Sequence, residues 1–162
     1  MIIHYMQDRD RALPLLPIPR KNWEIDAYPV NEIAEYVQDV SQGDIDVLVE
    51  EYYNKYDMIL DGRDPEEFKK HVAVQAGIEI GFERFLEEKN YQAIVTHFGD
   101  LGSLKQLPGL AIQRLMEKGY GFGGEGDWKT AAMGIEAVYI DGDTTIRNLQ
   151  NELRWNSMYF SK

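Results

Sequence analysis

Asp64-Pro65-Glu66-Glu67-Phe68 opens a long amphipathic stretch that runs to about Lys89, and Tyr91-Gln92-Ala93-Ile94-Val95-Thr96 follows almost at once. The first run carries the chemistry of a helix start. An aspartate side chain can accept from otherwise unsatisfied backbone N–H groups, proline stands where no N–H is needed, and two glutamates sit at the positive end of the helix dipole. These residues predict a helix over 65–88 with Phe68, Val72, Ile78, Phe82, Phe85 and Leu86 facing inward. The second run is mostly apolar without alternation, the pattern of a strand covered on both faces in a parallel sheet. A helix leading into such a strand belongs to an α/β layer fold.

Working outward, the same signals recur. Downstream, a helix is expected over about 108–118, then a glycine-rich loop and a short helical turn near 128–132. Ile135-Glu136-Ala137-Val138-Tyr139-Ile140 reads as a further strand, and Thr144 or Thr145 caps a last helix through about Trp155. Upstream, Trp23-Glu24-Ile25-Asp26-Ala27-Tyr28 alternates like a short strand. Helices follow near 31–40 and 45–57, the second with Asp44 as N-cap and Ile45, Leu48, Val49 and Tyr52 on one face. The expectation is a single three-layer α/β domain over 23–162, its mostly parallel sheet including 91–96 and 135–140 and flanked by helices. Pro14, Pro17 and Pro19 remove backbone donors and hold their segment extended. Residues 1–22 are therefore expected to be a leader outside the main fold, either an arm on the surface or disordered, or else a proline-motif ligand.

Composition narrows the chemistry. The 162 residues suit one domain with a real core, and the absence of cysteine excludes disulfides, thiolate zinc sites and cysteine nucleophiles. With only His4, His71 and His97 present, a metal site built mainly of imidazole is almost excluded too. A net charge of −11, from 28 acidic and 17 basic residues, repels phosphate backbones and anionic membrane surfaces, so no nucleic-acid partner is expected. Aromatic residues make up 12% of the chain, too many for a disordered acidic tail. Met1-Ile2-Ile3-His4-Tyr5-Met6 precedes the charged Asp8-Arg9-Asp10-Arg11, the reverse of a signal peptide, and no apolar run approaches the roughly 20 residues that cross a bilayer. The expected location is cytoplasmic.

Gly119, Gly121, Gly123, Gly124 and Gly126 give the loop a backbone that can take positive φ and would aim Glu125 and Asp127 into a cleft. The loop satisfies G-x-G-x-x-G twice, and Asp141 lies 20 residues after Gly121, which imitates a dinucleotide fingerprint. The context argues against that, because a Rossmann loop follows a strand and opens a long helix, whereas this one follows a helix. A plainer account has Gly119 ending the preceding helix, Asp127 capping the next turn and Trp128 packing on the core.

Leu104-Lys105-Gln106-Leu107-Pro108-Gly109-Leu110 and Gly119-Tyr120-Gly121-Phe122-Gly123-Gly124-Glu125-Gly126-Asp127-Trp128-Lys129-Thr130 together resemble the L-arabinose isomerase family, without a gap from about Leu104 to Ala131. The resemblance continues upstream at lower density to about Val30, as in that family's central α/β domain, while 134–162 looks like its extreme C-terminus. A family segment thus has no counterpart between Ala132 and Gly134. What the resemblance implies is aldose–ketose isomerisation of L-arabinose to L-ribulose, in which two glutamates and two histidines hold manganese or a similar divalent ion. Glu125 matches the first glutamate, as metal ligand and acid–base candidate, and Phe98 matches a phenylalanine that contacts the sugar. The second glutamate and both histidines fall in the segment without counterpart.

Departures flank Phe98: relatives read Thr-Thr-Phe-Glu-Asp-Leu where this chain has Thr96-His97-Phe98-Gly99-Asp100-Leu101. His97 is either a substitute metal ligand or a hydrogen-bonded, solvent-facing residue at a strand end. His4 lies in the leader and His71 beside Lys69 and Lys70, so neither is placed to complete a site with Glu125. Acidic pairs such as Asp44/Asp46, Glu50/Glu51 and Glu66/Glu67 read as solvated charge. The resemblance implies a shortened isomerase relative whose site is incomplete in this chain alone, with a pentose as partner if active and a homo-oligomer as assembly. The alternative is a non-catalytic folding or interaction module.

Overall fold

The computed structural model describes residues 2–4, 25–97, 99, 101–128, 130–132 and 134. The elements among them are, in order, β1 (Ile2–His4), β2 (Ile25–Asp26), α1 (Val30–Gln38), α2 (Gln42–Lys55), α3 (Pro65–Glu88), β3 (Ala93–Thr96), α4 (Gly109–Glu117) and β4 (Gly121–Gly124). All strand pairs are parallel and the sheet order is β2-β1-β3-β4.

β3 organises the layers because successive side chains of a strand point to opposite faces. Ile94 packs into a cluster with Ile33 of α1, Phe82, Phe85 and Leu86 of α3, and Ile112 and Leu115 of α4. Ala93 and Val95 point the other way, against Trp128, Ala131 and Ala132. With helical cover on both faces, the non-alternating apolar run is explained and the three-layer α/β expectation is met.

α3 begins as the sequence specifies, with the Asp64 carboxylate accepting the Glu67 N–H at 2.9 Å and Pro65 in the first turn. α2 corrects the expected cap: Ser41, not Asp44, is the N-cap, and its Oγ accepts the Asp44 N–H at 3.1 Å. Ser41 is extended while Gln42 and Gly43 are already helical, so Asp44 lies inside the first turn, where its carboxylate meets Arg84 at 2.8 Å.

Two strands depart from the sequence-based picture. β1 is an inner strand, with Ile2 opposite both Ile25 and Ala93, so residues 1–22 do not lie wholly outside the main fold. The pairing joins chain segments far apart in sequence, which no local pattern records. β4 runs through Gly121-Phe122-Gly123-Gly124, a glycine-rich run with little intrinsic strand preference that is held by its ladder to β3. The expected strand at 135–140 and the helix after Thr144 lie outside the described residues, as does 5–22.

Outboard of α3, α2 seats Val49 and Tyr52 on Val72 and Ala76. Beside them lies Glu79, fully buried, whose carboxylate accepts from the Tyr52 hydroxyl at 2.5 Å, Arg114 Nε at 2.8 Å and Lys118 Nζ at 3.0 Å. Arg114 also pairs with Glu51, and its guanidinium sits 4.8 Å from the Tyr52 ring centre. Burial, and then the Glu79 charge, push the Tyr52 hydroxyl far above its ordinary pKa, so it stays protonated and donates. No helix among the described residues is long and apolar enough to cross a membrane.

Candidate functional site

The parallel register brings the carboxyl ends of β3 and β4 side by side, with Thr96 opposite Gly124. The chain then turns at Glu125, which has φ 53°, and the Gly126 N–H donates back to the Thr96 carbonyl at 3.3 Å. A left-handed backbone costs a residue with a Cβ about 1–2 kcal/mol, so the turn places Glu125 where glycine would be easier. Glu125 is exposed at this edge.

Asp127 behaves as the plainer account requires. Its Oδ1 accepts the Thr130 N–H at 3.1 Å and its Oδ2 the Thr130 hydroxyl at 2.6 Å, capping the helical segment on which Trp128 is buried. Gly119, at φ 104°, ends α4 with the Tyr120 N–H bonded to the Leu115 carbonyl at 3.0 Å. Gly123 is required by proximity, because a Cβ there would stand 1.9 Å from the Asp127 carbonyl oxygen. Glycines therefore hold the turn tight against β4, and Glu125 projects from its tip.

His97 follows β3 at the same edge, and its Nδ1 accepts the Gly99 N–H at 3.0 Å. Phe98 and Asp100 lie outside the described residues. The loop beyond is pinned to the helices: the Ser103 N–H donates to Asn31 Oδ1 at 3.0 Å, and Gln75 Nε2 donates to the Leu107 carbonyl at 2.8 Å. Under it lies a cavity of about 30 Å³ lined by Ile33, Phe82, Ile94, Leu101 and Leu104, with the buried Thr96 Oγ1 at its border. That volume admits water, which needs roughly 10–15 Å³, but not a pentose.

The sheet order marks the same edge. β2 and β3 lie on opposite sides of β1, so the topological switch point falls between the carboxyl ends of β1 and β3, where open α/β sheets bind ligands. His4, placed in the leader by sequence, ends β1 here with its backbone opposite Val95. The signal available in the sequence was the apolar pair Ile2-Ile3 just before it.

A sequence model of the L-arabinose isomerase central domain matches residues 19–141, a span that runs from before β2 past Glu125. The chain belongs to the L-arabinose isomerase family. It is 44% identical over 124 residues to the L-arabinose isomerase of Geobacillus kaustophilus, covering 76% of this chain and 25% of that one. The enzyme of Anoxybacillus flavithermus is 46% identical over 124 residues, with the same coverage. L-arabinose isomerase 1 of Clostridium acetobutylicum is 49% identical over 111 residues, covering 68% of this chain and 23% of that one. The chain spans about a quarter of the length of these isomerases.

Manganese can be tested against the donors present. The Glu125 carboxylate is the right kind of ligand for a hard cation. Among the described residues, however, no group of three or more His, Asp or Glu side chains is gathered that could hold a metal ion. His71 is on α3, with its Nδ1 bonded to Gln106 at 2.9 Å. The described residues thus fit a manganese site in donor chemistry but not in donor number.

Proposed function

We propose that this chain supplies part of an aldose–ketose isomerase site acting on L-arabinose, with Glu125 as metal ligand and acid–base group and Phe98 as a contact to the sugar. The observation that carries the proposal is Glu125 in a left-handed turn at the carboxyl edge, inside the span that matches the isomerase central domain. Strained, exposed, chemically capable side chains at such an edge are characteristic of sites rather than of packing. One carboxylate cannot fix a six-coordinate ion or exclude its waters, so residues 1–162 alone form an incomplete site. A cytoplasmic location, and the lack of nucleic-acid and membrane partners, belong to the same proposal and rest on the −11 charge and the cysteine-free composition.

The test uses the purified 162-residue chain. Manganese is expected to bind weakly and to broaden the amide signals of 124–127, an effect lost in Glu125→Gln. Conversion of L-arabinose to L-ribulose should stay far below an ordinary enzymatic rate of about 1 s⁻¹. Turnover at that rate, abolished by Glu125→Gln, would refute the incomplete site, and absence of broadening at 124–127 would refute the ligand. A chain that folds but takes neither metal nor sugar is the non-catalytic module.

Self-association is part of the same reading. Val47 and Ile59 are 70% and 78% exposed on and after α2, apolar surface of the kind that partners cover. Sedimentation is expected to show a homo-oligomer at high micromolar concentration; monomer alone would count against it.

A further inference from the structure

The loop 101–108 is tied down on two sides, and one of them ends on a group that can change charge. On the α1 side, the Ser103 N–H donates to Asn31 Oδ1 at 3.0 Å and Gln38 Nε2 donates to Ser103 Oγ at 3.1 Å. On the α3 side, a row of amides runs from the start of α4 to His71. Pro108, the N-cap of α4, supplies no side-chain bond, and the Ala111 N–H, which has no intrahelical acceptor, meets Gln75 Oε1 at 3.4 Å. Gln75 Nε2 donates to the Leu107 carbonyl at 2.8 Å and to Gln106 Oε1 at 2.9 Å. Gln106 Nε2 then stands 2.9 Å from His71 Nδ1.

Backbone groups fix every orientation in this row. A carbonyl can only accept and an N–H can only donate, so Leu107 and Ala111 determine which end of the Gln75 amide faces each of them. Gln75 thereby presents Nε2 to Gln106, Gln106 returns Oε1, and the NH₂ of Gln106 is left facing His71. His71 Nδ1 must offer a lone pair, which in a neutral imidazole puts the proton on Nε2. A second proton removes that lone pair. Turning the Gln106 amide over would satisfy His71 but set two NH₂ groups against each other at Gln75, and Gln75 cannot turn without losing both backbone partners.

We infer that this row is a pH-sensitive strap: with His71 neutral it holds the end of the loop on α3, and protonation of His71 breaks the row and loosens that side while Ser103 stays on α1. The bond favours the neutral ring, so the strap is closed above the range where imidazole ordinarily titrates, about pH 6.5, and loosens as pH falls through it. The charged groups nearby in the chain are Glu67, one turn earlier on α3, Lys69 and Lys70 beside His71, and Lys105 next to Gln106. Arg63 lies 6.0 Å from the ring centre of Phe68, and α4 brings the uncharged Leu110 to this end of α3. The ion pairs among the described residues do not include His71. Leu104, Leu107 and Pro108 line the cavity bordered by Thr96 Oγ1, so loosening the strap uncovers apolar surface at the carboxyl edge of the sheet. The strap does not depend on the isomerase reading.

Amide hydrogen exchange of the 162-residue chain at about pH 7.5 and 5.5, on either side of the imidazole range and corrected for intrinsic rates, tests this. Protection of Ala111 is expected to fall about fivefold at the lower pH, the worth of one hydrogen bond, while Ser103 does not change. The Gln106 side-chain NH₂ resonances should shift over the same range. His71 is exposed, so substitution there leaves the core intact. In His71→Asn, whose side-chain oxygen replaces the Nδ1 acceptor and takes up no proton, Ala111 should be equally protected at both pH values. In His71→Leu its protection should be low at both. With ¹⁵N-labelled histidine, His71 Nδ1 should be unprotonated at the higher pH. An unchanged Ala111, an equal loss at Ser103, a pH step that survives in His71→Asn and so belongs to another group, or a protonated Nδ1 at the higher pH would each overturn the strap.

Discussion

Glu79→Ala is expected to destabilise the domain by about 3–5 kcal/mol, the cost of leaving buried charge without its partner. Glu79 is fully buried, and its carboxylate is the acceptor shared by Tyr52, Arg114 and Lys118. Removing it leaves Arg114, itself only 4% exposed, with Glu51 as its remaining carboxylate, and leaves the Tyr52 hydroxyl without its short hydrogen bond. Because Glu51 is exposed and continues to offset part of the Arg114 charge, the lower end of that range is expected. The Lys55–Glu117 pair is the control, since both its side chains are substantially exposed and Lys55→Ala should cost less than about 1 kcal/mol. Urea unfolding followed by circular dichroism measures both. A Glu79→Ala loss as small as that of Lys55→Ala would mean that water reaches the cluster and that α2, α3 and α4 are not held together by it.

Gly123→Ala is expected to cost about 3 kcal/mol or more, at the top of the range for overpacking. The added Cβ would stand 1.9 Å from the Asp127 carbonyl oxygen and 2.8 Å from its carbonyl carbon, so the atoms that must give are backbone rather than the end of a flexible side chain. Either β4 leaves its register with Val95 and Thr96, or the turn through Glu125 moves away and Asp127 loses its cap on Thr130. Both outcomes expose the Gly126 N–H, which is otherwise bonded to the Thr96 carbonyl, so its hydrogen exchange should accelerate. Manganese broadening at 124–127 should weaken in parallel. Gly109→Ala in α4 is the contrast: nothing lies within 4 Å of the added Cβ, and alanine should be neutral or stabilising by up to about 1 kcal/mol. Equal stability of the two variants would show that the turn is loose and that Gly123 is present for another reason.

The contrast between these glycines shows where sequence reasoning stops. Each is one letter in a permissive loop or helix, and only the fold decides that one lies against another backbone and the other in open space. The same holds for charge. Glu51 and Glu79 differ little as sequence, but Arg114 reaches Glu79 only because α4 crosses α3 in the third dimension.

What local chemistry determines was legible from residue types alone. Asp64-Pro65 starts α3 because capping and proline geometry act within one turn, and the apolar Ala93-Ile94-Val95 becomes a doubly covered strand because its lack of alternation leaves no face for water. Gly119, Asp127 and Trp128 took their expected roles for the same reason, and the quoted motif was enough to mark Glu125 as the residue to follow. Pairing and proximity were decided by tertiary structure. β1 sits inside the sheet through hydrogen bonds to strands more than 20 residues away, and β4 is a strand because β3 offers it a ladder. Propensity acts over a few residues, whereas each of these depends on free energy gained only after distant segments have met, and that gain leaves no pattern in the order of the amino acids.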